Sequence, residues 1–591
     1  MDERNQIYAT SPTIEPSDET VIPSPIEDLK SAVAQHAGMD FPMFPGQNIT
    51  PVAIEDHNIK MGFTFDPHER MTSSTLDMLL SFDALIGIES IPFEYLSEMY
   101  QNYFTTTHQT FPLINQEAFL SSLSINGNAQ EVLALQSAMC AHVAAVSPNF
   151  MSWAVLNLAF VGDQDYGHWF YQHSKLHLSK AETENQITPS LATLQASALI
   201  GLYELKQSQF SQAWVTISRA VWEAQCLRHP KTESLHPSQQ RIPLPTPPPT
   251  PKGRSLNSNE ERNAVWAVIH LNCFLGIGVS SNVIDTVAQN EMGVYLPCQD
   301  ELDMDLRLEE VMKATHQAFQ LSIKQHLSIA TILCARTFSH IKMMKHASSL
   351  DHNPYNFWTQ HYHLDEATRH IGCCISGSVH GSTDTREDVN CRIVVNLLLK
   401  TITICLHEAF MHKAESEVSM KGSFKHARQA QSSHALTLQN CMDITELVQS
   451  IVSTDEAKSS IFLPWSIYVA IQSLVRHQRR ATSPAVLIQP TSQSFTNSDD
   501  TTAFSGGNCL RCATASQSSS LEQEDKAGLL AEAVVLDAIN ALRSSLVHLS
   551  HQMPLARFFY DEAQVEAQVE AHGTDELVDR VVGLAAFTNF E

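Results

Sequence analysis

Apolar residues in this chain recur three and four positions apart through most of its length, and that spacing commits the polypeptide to helices. The pattern runs through Glu131–Ala145, Phe170–Ala181, Leu191–Leu205, Gln212–Leu227 and Glu260–Phe274. It resumes in Glu309–His346, Val394–Ala414, Phe424–Ser450, Ile461–Gln478 and Leu529–Leu549. No succession of period-two strands joined by Asn-Gly or Asp-Gly turns competes with it. The expected fold class is all-α, a large helical domain with a disordered N-terminal segment and internal linkers.

Composition sets the boundaries. Residues 1–75 mix Pro, Ser, Thr and acidic residues with isolated apolar ones, too little apolar surface to offset chain entropy, and read as a largely disordered acidic segment. Ordered structure is expected near Ser73 or Ser74, whose hydroxyls can cap a helix entering at Leu76. Residues 76–235 form the first helical half and 260–488 the second. Between them, 236–259 hold the proline run from Pro243 to Pro251, an extended polyproline II linker. Residues 489–525, dense in Ser, Thr, Gln and Gly, read as a disordered insertion, and 526–591 as C-terminal helices with an acidic, apolar tail.

Phe93, Leu96, Tyr100 and Tyr103 share one face of a helix, and Phe111-Pro112 should stop it, because proline lacks an N–H and disfavours helical angles in the residue before it. The segment then reads His108-x-x-Phe-Pro-Leu-Ile-x-x-x-x-Phe119. A second block pairs Leu191–Tyr203 with a stripe of Trp214, Ile217, Val221 and Ala224, whose small neighbours let another helix approach closely. A third is Glu260-Glu-Arg-Asn-Ala-Val-Trp266, followed later by Leu296-Pro297. In this order the blocks resemble the middle homology region of fungal zinc-cluster transcription factors, over roughly residues 90–480. The chain departs from that pattern at Asn263, Leu271-Asn272-Cys273 and Val279-Ser280-Ser281, where the family carries charged residues. Trp214 and Trp266 are expected in the core, each contributing about 1.5–3 kcal/mol by burial.

Charge weighs against direct DNA contact. The formal net charge is −27, with −8 in residues 1–75 and −9 in residues 521–591. Proteins that grip a duplex neutralise phosphates with Lys and Arg, whereas this chain repels them overall. Arg476-His-Gln-Arg-Arg480 is the densest basic run, and a solvated helix end explains it better than an import signal. The acidic start lacks a basic stretch ahead of an apolar core, and the apolar run Phe150–Val161 falls short of the ~20 residues of a membrane helix. A soluble, intracellular protein is expected, its 12 scattered cysteines free thiols.

Catalytic and metal motifs are scarce. The first cysteine is Cys140, so a six-cysteine cluster ahead of the helical body is not expected. Cys509-x-x-Cys512 has its next histidines at His548 and His551, too distant for a two-Cys two-His finger. His173 and His177 stand one turn apart with His168 nearby, but the glutamate of zinc proteases does not separate them. His361, His363, Cys373 and Cys374 invite the same thought, and Asp303, Asp305, Asp499 and Asp500 lack helical partner carboxylates. No catalytic, cofactor or metal residue is therefore assigned, and no phosphate-cradling glycine loop or nucleophile elbow is found.

At the C-terminus, Thr574 can cap a helix whose first turn carries Asp575 and Glu576. Leu577, Val581 and Leu584 then line one face, with Phe587 and Phe590 beyond, a pattern suited to a coactivator groove or to packing on the body. The resemblance implies a nuclear, non-enzymatic regulator, with control of a metabolic or secondary-metabolite gene cluster. The leading expectation is protein–protein association with other transcription factors or coactivators, DNA being reached only indirectly and no membrane being involved. Three alternatives stand beside it: a zinc-cluster DNA-binding factor whose N-terminal exon is missing, an all-α metabolic enzyme, and a sensor of a small-molecule effector.

Overall fold

The computed structural model describes residues 87–158, 165–185, 189–228, 259–278, 296–297, 311, 321–346, 357–377, 385–421, 427–454, 458–482 and 524–568. Contacts separate Met1–Asp77 from Met78–Glu591, and every described residue belongs to the second unit. The fold is all-α, with no strand among the described residues.

The first half opens with α1 (Phe93–Thr105), the single-turn α2 (Thr107–Thr110), α3 (Gln116–Asn126) and α4 (Gln130–Ala141). It continues through α5 (Pro148–Asn157), α6 (Tyr166–Asn185), α7 (Leu191–Lys206) and α8 (Phe210–Arg228). Here α4 packs between α6 and α7, and α7 lies along α8. Gly201 makes the α7–α8 approach possible, since a Cβ there would sit 2.6 Å from Ile217 Cγ1. Ala213 and Ala220, both fully buried, keep the facing ridge of α8 low. Ser190 caps α7 in a reciprocal capping box with Thr193.

Helix α9 (Asn259–Gly278) touches α7 and α8 on one side and α10 (Ile323–His346) on the other, and so joins the two halves. The second half is built on α12 (Arg386–Lys421), which α10, α11 (Phe357–Gly377), α13 (Ala427–Thr454) and α14 (Phe462–Thr482) surround. The hairpin of α15 (Glu524–Ser550) and α16 (Pro554–Gln568) closes over α14.

Three expectations need correction. Residues 386–417, within α12, are long and apolar enough to cross a membrane by length and composition, a stretch longer than Phe150–Val161. Two-thirds of its most apolar window is buried inside the body, and a helix packed on most sides becomes apolar on most sides. The aromatic helix breaks at Thr106 (φ −122°, ψ −85°), before the Phe-Pro step, and restarts as α2. Phe93 is 65% exposed while Leu96, Tyr100 and Tyr103 are buried, because Phe93 is the first helical residue and precedes the packed turn. The acidic segment 1–75, the polyproline linker Pro243–Pro251 and residues 489–523 of the insertion expected at 489–525 lie outside the described residues, while residues 524 and 525 already belong to α15.

Candidate functional site

The three sequence blocks meet at one junction. Downstream of Pro112 the chain reaches Asn115, an extended residue whose side chain caps α3 by accepting from the Ala118 N–H at 3.0 Å. Glu260, in the first turn of α9, accepts from the Asn115 N–H at 3.0 Å and from the Gln195 side-chain amide at 2.9 Å. Gln195, fully within α7, also donates to the Leu113 carbonyl at 2.9 Å. One carboxylate thereby fastens the loop, α7 and α9, in a position where negative charge is favourable against the helix dipole.

On the other side of the loop, α2 packs against α12. Thr110 Oγ1 lies 2.6 Å from Ser459 Oγ, just ahead of α14. Lys324 of α10 pairs with Glu387 of α12 at 2.5 Å. His108 Nε2 lies 3.9 Å from the same carboxylate, but burial and then the Lys324 cation lower its pKa to about 4, so the ring is neutral and contributes no ion pair at neutral pH. Its ring instead packs edge-on against Phe104, 5.2 Å away.

Between these fastenings runs a narrow cleft. Phe111 and Pro112 form one wall, Asn263, Trp266 and His270 of α9 a second, and Lys324 and Ser328 of α10 a third, with Pro297 at the edge. Its open space is about 30 Å³, room for one or two waters. His270 Nε2 approaches Ser328 Oγ at 3.4 Å, and burial lowers the imidazole pKa to about 4. The groups here hold helices together; their arrangement is that of a joint. Trp266 is 2% exposed and Trp214 only partly buried, packed against the core edge.

A second polar cluster lies between α12, α13 and α14. Glu408, buried, accepts from Ser473 Oγ at 2.7 Å, with Arg476 Nε at 3.8 Å and Arg480 Nη2 at 3.9 Å. His434 and His477 stack at 4.5 Å and share a hydrogen bond of 2.9 Å. Nothing in the sequence reading anticipated Glu408; its only signal is a carboxylate set inside the apolar run Cys405–Phe410. The basic run is thus divided: Arg476 is buried in the fold, Arg480 reaches back to Glu408 and Glu415, and Arg479 is exposed.

The histidines singled out by spacing have structural surroundings. His173 lies against the Trp169 ring at 4.2 Å, and His177 Nδ1 meets Gln130 Oε1 at 2.9 Å. His361 is buried against Phe357 and Phe410, whereas His363 points to solvent and Cys373 is exposed on the same helix. Among the described residues no group of three His, Cys, Asp or Glu side chains is arranged to hold a metal ion. Asp303, Asp305, Asp499, Asp500, Cys509, Cys512 and Thr574 lie outside the described residues. So do Leu577, Val581, Leu584, Phe587 and Phe590.

Residues 100–378 match the family model of the fungal specific transcription factor domain, just under half of the chain. The match holds the second and third blocks and the first from Tyr100 on, and it runs through α11, but it starts after the expected 90 and stops short of the expected 480. Helices α12, α13 and α14 complete the same helical body beyond it. The citrinin biosynthesis transcriptional activator mrl3 of Monascus ruber is 25% identical over 216 residues, 36% of this chain and 38% of that protein. The depudecin biosynthesis cluster-specific transcription activator DEP6 of Fusarium langsethiae is 25% identical over 154 residues, 26% of this chain and 22% of its own length. The azaphilone cluster-specific transcription factor azaR of Aspergillus niger is 24% identical over 210 residues, 34% of this chain and 43% of that protein. The aligned segments thus span well under half of these relatives. No solved structure matches the chain.

Proposed function

We propose that this chain is a non-enzymatic transcriptional regulator of fungal type that acts in the nucleus through protein–protein association. The observation that carries the reading is the junction itself: all three blocks converge on it, and the junction residues Leu113, Asn115, Gln195, Glu260 and Trp266 fall within the residues that match the transcription factor domain. The relatives' roles in citrinin, depudecin and azaphilone clusters favour control of a secondary-metabolite gene cluster. A net charge of −27 favours a partner that supplies the DNA contact, because phosphate neutralisation needs cations this chain spends internally, as Lys324 and Arg476 illustrate. Leu577, Val581, Leu584, Phe587 and Phe590 are the proposed apolar contacts to a transcription factor or coactivator.

The test is affinity capture of the tagged full chain from nuclei, compared with the Leu584→Ala, Phe587→Ala double variant. Recovery of a DNA-binding factor or coactivator that the double variant retains poorly supports the proposal. A chain absent from nuclei, or one recovered with no component of the transcription machinery, contradicts it.

A further inference from the structure

Helix α5 carries no charged residue and shows solvent two apolar side chains in succession, Val155 at 59% exposure and Leu156 at 81%. Its inner face is taken up by the core through Phe150 and Ala154. We propose that the surface shared by α5 and α1 is a docking face for a basic amphipathic helix of a partner protein. The proposal rests on the reading of association through a partner, and deepens it by giving the partner's seat and its chemistry.

The two helices run antiparallel, and their contacts fix which residues share this face. Asn102 of α1 donates to Ser147 Oγ at 2.8 Å, just ahead of α5. Glu98 accepts from the Asn149 and Phe150 N–H groups at 3.3 and 3.2 Å, and the Tyr95 ring stacks on Trp153 at 5.5 Å. Leu156 lies three positions beyond Trp153, next to it on the helix surface. Glu94 is exposed beside Tyr95. Burial raises the Tyr95 pKa, and the Glu94 and Glu98 carboxylates near its hydroxyl raise it further. A strip of half-buried Tyr95 and Trp153 with exposed Leu156 is therefore edged by carboxylates.

Charge selects the occupant. From 71 to 174 the sequence holds nine Asp or Glu and no Lys or Arg. A second copy seated by a two-fold axis would set this anionic patch against itself, and like charges across an interface are costly. Nucleic acid is repelled for the same reason. A helix with leucine-type side chains at i, i+3 and i+7 and Lys or Arg on its flanks satisfies both the apolar strip and the carboxylates.

The test titrates the purified full chain into a fluorescein-labelled amphipathic helical peptide of leucine and lysine and follows its anisotropy. The same peptide with glutamate in place of lysine is the comparison. The lysine peptide should bind, about tenfold or more weakly with Leu156→Ser and again with Glu94→Lys, the loss expected of one buried leucine or one close charge pair. Ile125→Ser, on α3 and 77% exposed, should leave binding unchanged. All three side chains are exposed, so the variants should keep the parent melting curve. A photoreactive group on the peptide should mark residues 93–98 and 148–157 of the unaltered chain, a readout that needs no substitution. Equal binding of the glutamate peptide, affinity insensitive to Leu156, or marking confined to the acidic termini would each overturn the inference. So would a dimer of the chain that Leu156→Ser dissociates. Nuclear capture of a transcription partner by a chain that fails this test would uphold the regulatory reading and still overturn the docking face.

Discussion

Thr110 and Ser459 bring their hydroxyl oxygens to 2.6 Å although 349 positions separate them in the chain. Ser459 also reaches the Thr106 carbonyl at 3.4 Å, so the kink between α1 and α2 is held from the entrance of α14. Thr110→Val keeps the shape of the buried side chain and removes the bond, and should cost about 1 kcal/mol in urea unfolding. Ser459→Ala should cost somewhat more, since it also loses the Thr106 carbonyl, and the double variant should cost less than the sum, because the two changes share one contact. Fully additive losses would mean the two hydroxyls act separately.

Glu260 serves two donors with one oxygen, the Asn115 N–H and the Gln195 amide. Glu260→Ala leaves both without that acceptor and should destabilise the chain by about 1–3 kcal/mol. Hydrogen exchange should then speed up first at the start of α3, where Asn115 is the cap. Faster exchange confined to α15 and α16 would place the damage elsewhere.

Gly201 faces Ile217 with no room for a methyl group. Gly201→Ala gains about 1 kcal/mol of helix propensity but forces α7 and α8 apart, and overpacking of this kind costs about 1–3 kcal/mol. Ile217→Ala should relieve the clash, so a double-mutant cycle gives a favourable coupling energy measurable by chemical denaturation. A coupling of zero would mean that the helices slide freely.

Acid should unfold this protein early. Burial lowers the pKa of His108, His270 and His340 to about 4, and of His142 and His361 to about 3. Nearby cations add to this at His108 through Lys324 and at His142 through Lys206, and His407 and His340 add to it at His361. Unfolded, each ring titrates near 6.5, so below that pH the unfolded chain binds protons that the folded chain does not. Stability is therefore greatest above pH 6.5 and falls as pH drops from 6.5 toward 4, each ring contributing up to about 1.4 kcal/mol per pH unit. Urea midpoints measured from pH 7 to 5 should decline steeply, and His361→Phe should flatten the slope by about one proton. Constant midpoints across that interval would show that these rings are solvated.

Much of the fold was legible because periodicity is local. The expected Leu191–Leu205 and Gln212–Leu227 became Leu191–Lys206 and Phe210–Arg228, boundaries displaced by no more than a turn. Short helices escaped the pattern: α3 and α5 bury few residues, and only the cap at Asn115 and Pro148 at the start of α5 marked them. The break at Thr106 went unforeseen because no proline or glycine dictates it; the pull of α2 onto α12 does. The blocks of the junction were visible one by one, but their convergence was not. Glu260, Gln195 and Leu113 are far apart in sequence, and Thr110 finds Ser459 only once the second half has folded. Glu408 was hidden for the converse reason, since its partners Ser473 and Arg476 lie on another helix.

The proposal that this helical body reaches its genes through a partner is tested most directly by the affinity of the purified full chain, alone, for a promoter fragment of the gene cluster proposed as its target. At physiological salt the account predicts no binding tighter than the ~10⁻⁴ to 10⁻⁶ M of non-specific association, and no preference over scrambled sequence. Selective binding in the 10⁻⁸ M range or tighter by the chain alone would contradict it.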